Sequence, residues 1–285
     1  MSNQPPIAVT GVTGTVGGLV ARELARRGVA QRLLARAPAR APQLPGSTVQ
    51  RVEYRDQVAA RRALEGVETL LMVSAAETAE RRDEHLAFVD AAAAAGVRRI
   101  VYTSFFAAAA DSMFTLGRDH HATEERIEAS GMEWTFLRDN LYTDFIENLV
   151  GEDGVIRGPA GNGRVSVVTR ADVARSAVAV LGDPGAHAFR RYDLTGPEAL
   201  TLEAAAATIT RVRGREVRFE NETIDEAYAS RAHYGAPDWQ VDAWVSTYTA
   251  IASGALAPVS SDVQTLTGTP PLSLENYLRG VNPTP

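Results

Sequence analysis

The 285-residue sequence has no cysteine, which excludes disulfides, thiolate metal sites, iron–sulfur clusters and a cysteine nucleophile. It has no lysine either: all 29 basic residues are arginine. That excludes a phosphate-loop lysine, a Schiff-base lysine and a lysine general base. No run approaches the roughly 20 apolar residues of a membrane span. The opening MSNQPPIAVTG lacks the basic start of a secretory leader, so the cytoplasm is the expected compartment and a membrane is not an expected partner. The net charge of −6 argues against nucleic acid as a partner. No His, Asp or Glu spacing suggests a metal site.

What is present is a rhythm. Ile7–Thr10, Arg32–Ala35, Val49–Tyr54, Thr69–Ser74, Ile100–Thr103 and Trp134–Leu137 read as strands. Helical periods over Val16–Arg27, Asp56–Glu65, Arg81–Ala95 and Asp119–Ser130 stand between them. Thr69–Ser74 is nearly all apolar, as suits a strand covered on both faces. The alternation predicts an α/β protein: a Rossmann-like, doubly wound parallel sheet over residues 1–150, with ligands at the carboxyl ends of the strands. Beyond 150 the rhythm loosens. Gly151–Gly163 reads as loop or short hairpin, Ala171–Leu181 as helix and Arg191–Thr195 as strand, so 164–196 is expected to return to the first domain. The remainder of 151–285 is expected to form a smaller α+β substrate-binding part. Helices are expected there at Thr201–Val212, Trp239–Ala252 and Ser273–Leu278. The Trp239–Ala252 pattern places Val241, Trp244, Val245, Tyr248, Ile251 and Ala252 on one stripe.

Gly11, Gly14 and Gly17 recur every third residue between the first strand and the first helix. Such a loop turns tightly and lets a ligand approach without Cβ atoms, and the helix start offers amides to a pyrophosphate. Gly11, Thr13, Gly14, Thr15, Val16 and Gly17 are therefore the expected dinucleotide cradle. After the second strand, where an acidic residue would select NADH, the sequence has Arg36 and Arg40, which suit a 2′-phosphate. NADPH is the expected cofactor, with NADH the alternative; neither flavin nor metal is expected.

The Gly-x-x-Gly-x-x-Gly loop with threonines between the glycines resembles the NmrA-like atypical short-chain dehydrogenase/reductases. Val97–Ser104, the stretch from Glu124 through Ser130-Gly131 to Tyr142, and Thr267–Pro271 are similar to that group's fifth strand, central segment and tail. Within it the sequence looks most like the type 2 NAD(P)H:quinone oxidoreductases. The resemblance implies that Glu53 and Tyr54 lie by the adenine, that Ser74, Ala75 and Thr103 line the nicotinamide path, and that Asn140 positions the loop over it. Ordinary members use a Tyr-x-x-x-Lys pair. In the register set by Glu124 and Gly131 those positions fall on Leu116 and His120. His120 is thus expected to hold the ribose, Tyr142 to be the phenol nearest the nicotinamide, and Ser104 to offer a hydroxyl to the substrate. His85, His187 and His233 read as structural or surface residues.

A reductase without its phenol suits acceptors whose reduced anion is already stable, since a hydroquinone has a phenol-like pKa of about 10. The expected activity is hydride transfer from NAD(P)H to a quinone or quinone-like polycyclic aromatic, with a tailoring step on a natural product as one variant. Trp239, Trp244, Tyr234 and Phe219 would supply an apolar lid. The alternative is a non-catalytic, dinucleotide-binding redox sensor. Either a monomer or a homodimer is compatible with the sequence.

Overall fold

The structure, a computed structural model, describes residues 7–281; the part of the leader reading that falls on residues 1–6 lies outside them. Six strands alternate with helices through the first half: β1 (Ile7–Val9), α1 (Thr15–Arg26), β2 (Gln31–Ala35), β3 (Ser47–Arg51), α2 (Gln57–Leu64), β4 (Thr69–Met72), α3 (Arg81–Ala94), β5 (Arg99–Phe105), α4 (Thr115–Ala129) and β6 (Glu133–Asp139). Next come α5 (Thr143–Asn148), β7 (Val155–Gly158), β8 (Arg164–Val165), α6 (Arg170–Gly182), β9 (Arg190–Leu194), β10 (Leu200–Thr201) and α7 (Leu202–Arg213). β11 (Arg218–Asn221), α8 (Ile224–Arg231), α9 (Asp238–Ala252), α10 (Asp262–Thr267) and α11 (Leu274–Leu278) complete the order.

Seven strands form one sheet in the order β3-β2-β1-β4-β5-β6-β9. The pairings from β3 through β5 are parallel, with Ile7 opposite both Gln31 and Thr69. Sequential strands run outward in two directions from β1, as in a doubly wound Rossmann-like sheet. Every residue of β4 is buried, as its apolar run requires.

The chain divides into two compact units. The first takes residues up to Ser104, then Asp119–Arg138 and Val173–Tyr192. Its core packs Ala60, Leu64, Phe88 and Val89 of the helices with Leu70 and Ile100 of the sheet. The second takes Phe105–Arg118, Asp139–Asp172 and the chain from Asp193 on. Its core includes Ile156, Val165, Leu202, Ile209, Tyr248 and Ile251.

Several elements depart from the sequence reading. The third strand ends at Arg51, so Glu53 and Tyr54 lie beyond it. Within Gly151–Gly163, β7 pairs in parallel with β11, a partner too distant in sequence to be visible from local pattern. The expected stripe of α9 holds at Val245, Tyr248 and Ile251 and takes in Ala243, while Val241 and Trp244 are half-buried and Ala252 exposed.

The third glycine of the loop is fixed by packing. A Cβ on Gly17 would lie 2.5 Å from the carbonyl oxygens of both Thr10 and Gly11, so it would push α1 off β1. Gly17→Ala is expected to lower stability by about 1–3 kcal/mol, the usual cost of overpacking, as read from urea unfolding. Unchanged stability would show that this contact does not set the α1 position.

Candidate functional site

The glycine loop of the first unit is built for an anion. Gly11 adopts φ +65°, and a Cβ there would meet Val73 at 2.8 Å. Gly14 caps α1 with no side-chain hydrogen bond, and the first turn carries no acidic residue. Thr13, Gly14 and Thr15 are exposed, whereas Val16 and Gly17 are buried. A Cβ on Gly14 would meet only the Gly11 carbonyl oxygen, at 3.4 Å. Gly14 thus keeps open a space that the protein does not fill itself, at the positive end of a 12-residue helix. These residues fit a pyrophosphate.

Arg36 and Arg40 follow β2 on the exposed surface. Among the described residues neither guanidinium has a hydrogen-bond or ion-pair partner. Glu53 is engaged instead: Arg51 and Arg55 bond its carboxylate at 2.9 and 3.4 Å. The Arg51 bond holds Glu53 below the usual carboxylate range.

Past the end of β4, side chains satisfy the backbone. Thr10 Oγ1 accepts from the Val73 amide at 2.8 Å, and the Tyr54 hydroxyl donates to the Val73 carbonyl at 2.6 Å. Thr103 Oγ1 accepts from the Ser74 amide at 2.9 Å. His85 Nε2 accepts from the Ala75 amide at 2.9 Å, and Arg81 Nε donates to the Ala75 carbonyl at 3.1 Å. Tyr54, stacked on Phe88 at 4.2 Å, is tied inward. Burial raises its pKa.

Beneath this segment lies a buried polar cluster. Arg81 Nη2 donates to His120 Nε2 at 2.8 Å, and Arg81 Nη1 bonds Asp119 at 3.2 Å. Arginine is only a donor, so His120 Nε2 accepts and the ring proton is on Nδ1, directed at the Tyr102 oxygen 2.9 Å away. The same logic puts the His85 proton on Nδ1, directed at Thr123 Oγ1 at 3.0 Å. Burial, reinforced by the Arg81 charge, pushes both imidazoles well below the usual 6.5. His120 therefore has partners other than the ribose hydroxyls expected of it, and His85 belongs to the cluster. Burial also raises the Tyr102 phenol.

Ser104 lies fully buried, and its hydroxyl donates to Glu124 at 2.6 Å. Arg138 holds the same carboxylate with bonds of 2.9 and 2.5 Å. The Ser104 proton is thus directed at the Glu124 carboxylate. Leu116, on which the sequence reading places the group's tyrosine position, belongs to the apolar core of the second unit.

In the second unit, Asn140 is buried and its side-chain amide donates to Ser166 and to the Leu256 carbonyl. The Tyr142 hydroxyl donates to Asp139 at 2.8 Å. The Arg170 guanidinium covers the Tyr142 ring at 4.3 Å and pairs with Asp144. Tyr234 meets Trp244 edge to face at 5.7 Å. Tyr234 is exposed; Trp244, Trp239 and Phe219 are half-buried.

Thr10, Arg81, His85, Tyr102 and Asp119 were not among the expected site residues. One signal was available: Arg81, His85, Phe88, Val89 and Ala92 share the inward face of α3, a helical spacing that carries the two polar residues inside with the apolar ones.

The glycine loop, the uncapped helix and the arginines after β2 define a dinucleotide-binding oxidoreductase fold. The NAD(P)H-binding family matches residues 11–184, and the chain belongs to that family as an NAD(P)H-dependent oxidoreductase. Quinone oxidoreductase 2 of Escherichia coli is 35% identical over 94% of this chain and 96% of its own length. A (4-alkanoyl-5-oxo-2,5-dihydrofuran-3-yl)methyl phosphate reductase of Streptomyces griseus is 38% identical over 93% of each. The crystal structure of the E. coli quinone oxidoreductase 2 with NADPH superposes with a TM-score of 0.88 at 33% identity, over 96% of this chain and 99% of the other. That of the transcriptional regulator NmrA with NADP, at 16% identity and a TM-score of 0.77, shows likeness of fold alone. Among the described residues no helix is long and apolar enough to cross a membrane, and no three His, Asp or Glu gather as a metal set.

Gly14→Val is expected to fold with unchanged stability and to lose NADPH binding by calorimetry, because its branched side chain occupies the diphosphate's approach. Retained affinity in a folded variant would move the site elsewhere. The buried histidines set a pH dependence. Neutral in the fold, they charge in the unfolded chain below about 6.5. Their stabilisation is thus complete above 6.5 and falls away below it, by about 1.4 kcal/mol per pH unit for each histidine. Urea unfolding should show lower stability at about pH 5.5 than at about pH 7.5, with a smaller drop in His120→Asn. An equal drop in the variant would mean His120 titrates normally.

Proposed function

We propose that the protein reduces a quinone or quinone-like conjugated aromatic with NADPH as donor. NADPH supplies a hydride when bound. The loop amides after Gly14 hold its diphosphate and Arg36 and Arg40 its 2′-phosphate, while the Ser74–Ala75 segment carries the nicotinamide half.

The observation that carries this reading is the state of the groups that would give a proton. Leu116 replaces a phenol, and the single His120 proton is directed at Tyr102. The Ser104 proton is directed at Glu124. A simple ketone becomes an alkoxide on reduction and requires a positioned acid, whose contribution is typically 10²–10⁴-fold. A quinone spreads the incoming charge over its own π system and takes its proton from solvent or from a modest donor. Tyr142, whose own proton is directed at Asp139 and whose ring lies under Arg170, is the modest donor in this reading, with solvent as the main source.

The relatives support the acceptor class. Besides the quinone reductase, an NAD(P)H azoreductase of Xenophilus azovorans is 31% identical over 96% of each chain. A Citrobacter triphenylmethane reductase superposes at a TM-score of 0.85 and 31% identity, over 97% of this chain and 100% of its own. Quinones, azo compounds, triphenylmethane dyes and an acylated oxo-dihydrofuran share an electron-poor conjugated system. The exposed Tyr234, set edge to face on the half-buried Trp244, offers an aromatic corner to such a ligand. A tailoring step on an aromatic natural product fits the same chemistry. Full-length similarity to reductases favours turnover over a sensor role.

The test follows NADPH absorbance against panels of quinones and of plain ketones. Quinones are expected to be reduced and ketones to be inert. Tyr142→Phe should slow quinone reduction by less than about 100-fold, the lower end of general acid catalysis. Arg36→Ala should weaken NADPH by about 1.5–3 kcal/mol, the worth of hydrogen bonds to a charged group, and leave NADH unaffected. Efficient ketone reduction would overturn the proposal, as would NADPH that binds and is never oxidised by any acceptor.

A further inference from the structure

We propose that Arg81 is a positioning residue for the nicotinamide half of the dinucleotide, acting through the Ser74–Ala75 backbone that it and His85 hold. The inference rests on the dinucleotide reading and names a residue which that reading leaves out.

The guanidinium is buried, with a relative exposure of 3%. It points in three directions at once: Nε to the Ala75 carbonyl, Nη1 to Asp119 and Nη2 to His120. A lysine ammonium lacks this planar fork and could not reproduce the set. The contacts do two things. First, they fix the two peptide groups that flank the Ala75 Cα, since His85 accepts from its amide while Arg81 donates to its carbonyl. The backbone there has left the sheet, so its position depends on these side chains. Second, an obligate donor facing His120 Nε2 forces that ring into its Nδ1–H form. The ring then accepts from Arg81 and donates to Tyr102, and the whole cluster keeps one arrangement. The groups facing His120 include Arg81, Tyr102, His85 ring to ring at 6.5 Å, and the Arg138 charge. Asp119 balances the arginine charge. The adenosine end is served by other residues, Arg36 and Arg40 after β2, so a defect at Arg81 separates the two halves of the ligand.

The experiment is calorimetric titration of Arg81→Gln and Arg81→Lys with NADPH and with adenosine 2′,5′-bisphosphate, which carries the adenosine half alone. The expected result is a loss of NADPH affinity of about tenfold or more, the effect of one charge-assisted hydrogen bond, with the bisphosphate within about twofold of wild type. A general structural lesion weakens both ligands alike, and that result in a folded variant overturns the proposal, as does unchanged NADPH affinity. Wild-type NMR provides a test that survives unfolding of either variant. The Ser74 and Ala75 amides should shift with NADPH and not with the bisphosphate. The His120 ring should keep its proton on Nδ1 from about pH 5.5 to 8. Equal shifts with both ligands, or a proton on Nε2, overturn it. Wild type that binds neither ligand fails the dinucleotide reading itself, a result distinct from failure of the Arg81 role alone.

Discussion

A strand that leaves a parallel sheet takes its backbone amides and carbonyls with it, and a buried group of that kind must find another partner. β4 ends at Met72, and the next three residues are held by Thr10, Tyr54, Thr103, His85 and Arg81. Much of the polar interior of the first unit follows from that need. His85 Nε2 accepts from the Ala75 amide, and Arg81 meets the Ala75 carbonyl from the interior of the unit. Asp119 and His120 then complete the hydrogen bonding of the buried guanidinium, and Tyr102 that of His120.

The absence of lysine gives the arginines contrasting tasks. Arg36 and Arg40 stand exposed beside the strand ends, where a doubly charged phosphate ester would find them. Arg81 and Arg138 are fixed internal charges, each with a carboxylate within reach: Asp119 for the first and Glu124 for the second. A guanidinium suits the internal role because it stays charged when desolvated and directs several donors in a plane. The same property makes these residues poor proton donors, so no acid–base function follows from their burial.

The parts of the fold governed by local pattern were legible in the sequence. The apolar run of β4, the glycine loop and the helix periods of α1 and α2 reflect burial and backbone geometry within a few residues. The pairing of β7 with β11 was not legible, because nothing near Val155 records that Arg218 will lie beside it. The displaced end of β3 followed from reading Val49–Tyr54 as one run, although the half-buried Tyr54 is held by its stacking on Phe88 rather than by strand pairing. At the site, the glycine cradle was visible as a motif, while the Arg81 cluster was not. Its members come from α3, α4 and β5, and polarity alone does not reveal that a residue points inward. The partners of His120 depend on Arg81, which no spacing rule connects to it.

The Tyr54 and Thr10 contacts at Val73 span 19 and 63 residues of chain, the Thr103 contact at Ser74 spans 29, and Arg81 reaches His120 across 39. Contacts of high sequence separation carry their loop-closure entropy before they return any stabilisation. The Val73–Ala75 segment can therefore settle only after β1, the Tyr54 turn, α3 and β5 have all docked. In the proposed reading the nicotinamide half lies against that segment, so the site depends on the assembled first unit. Its ligand selects the fully assembled chain, so the cofactor level sets the apparent stability of this enzyme by mass action.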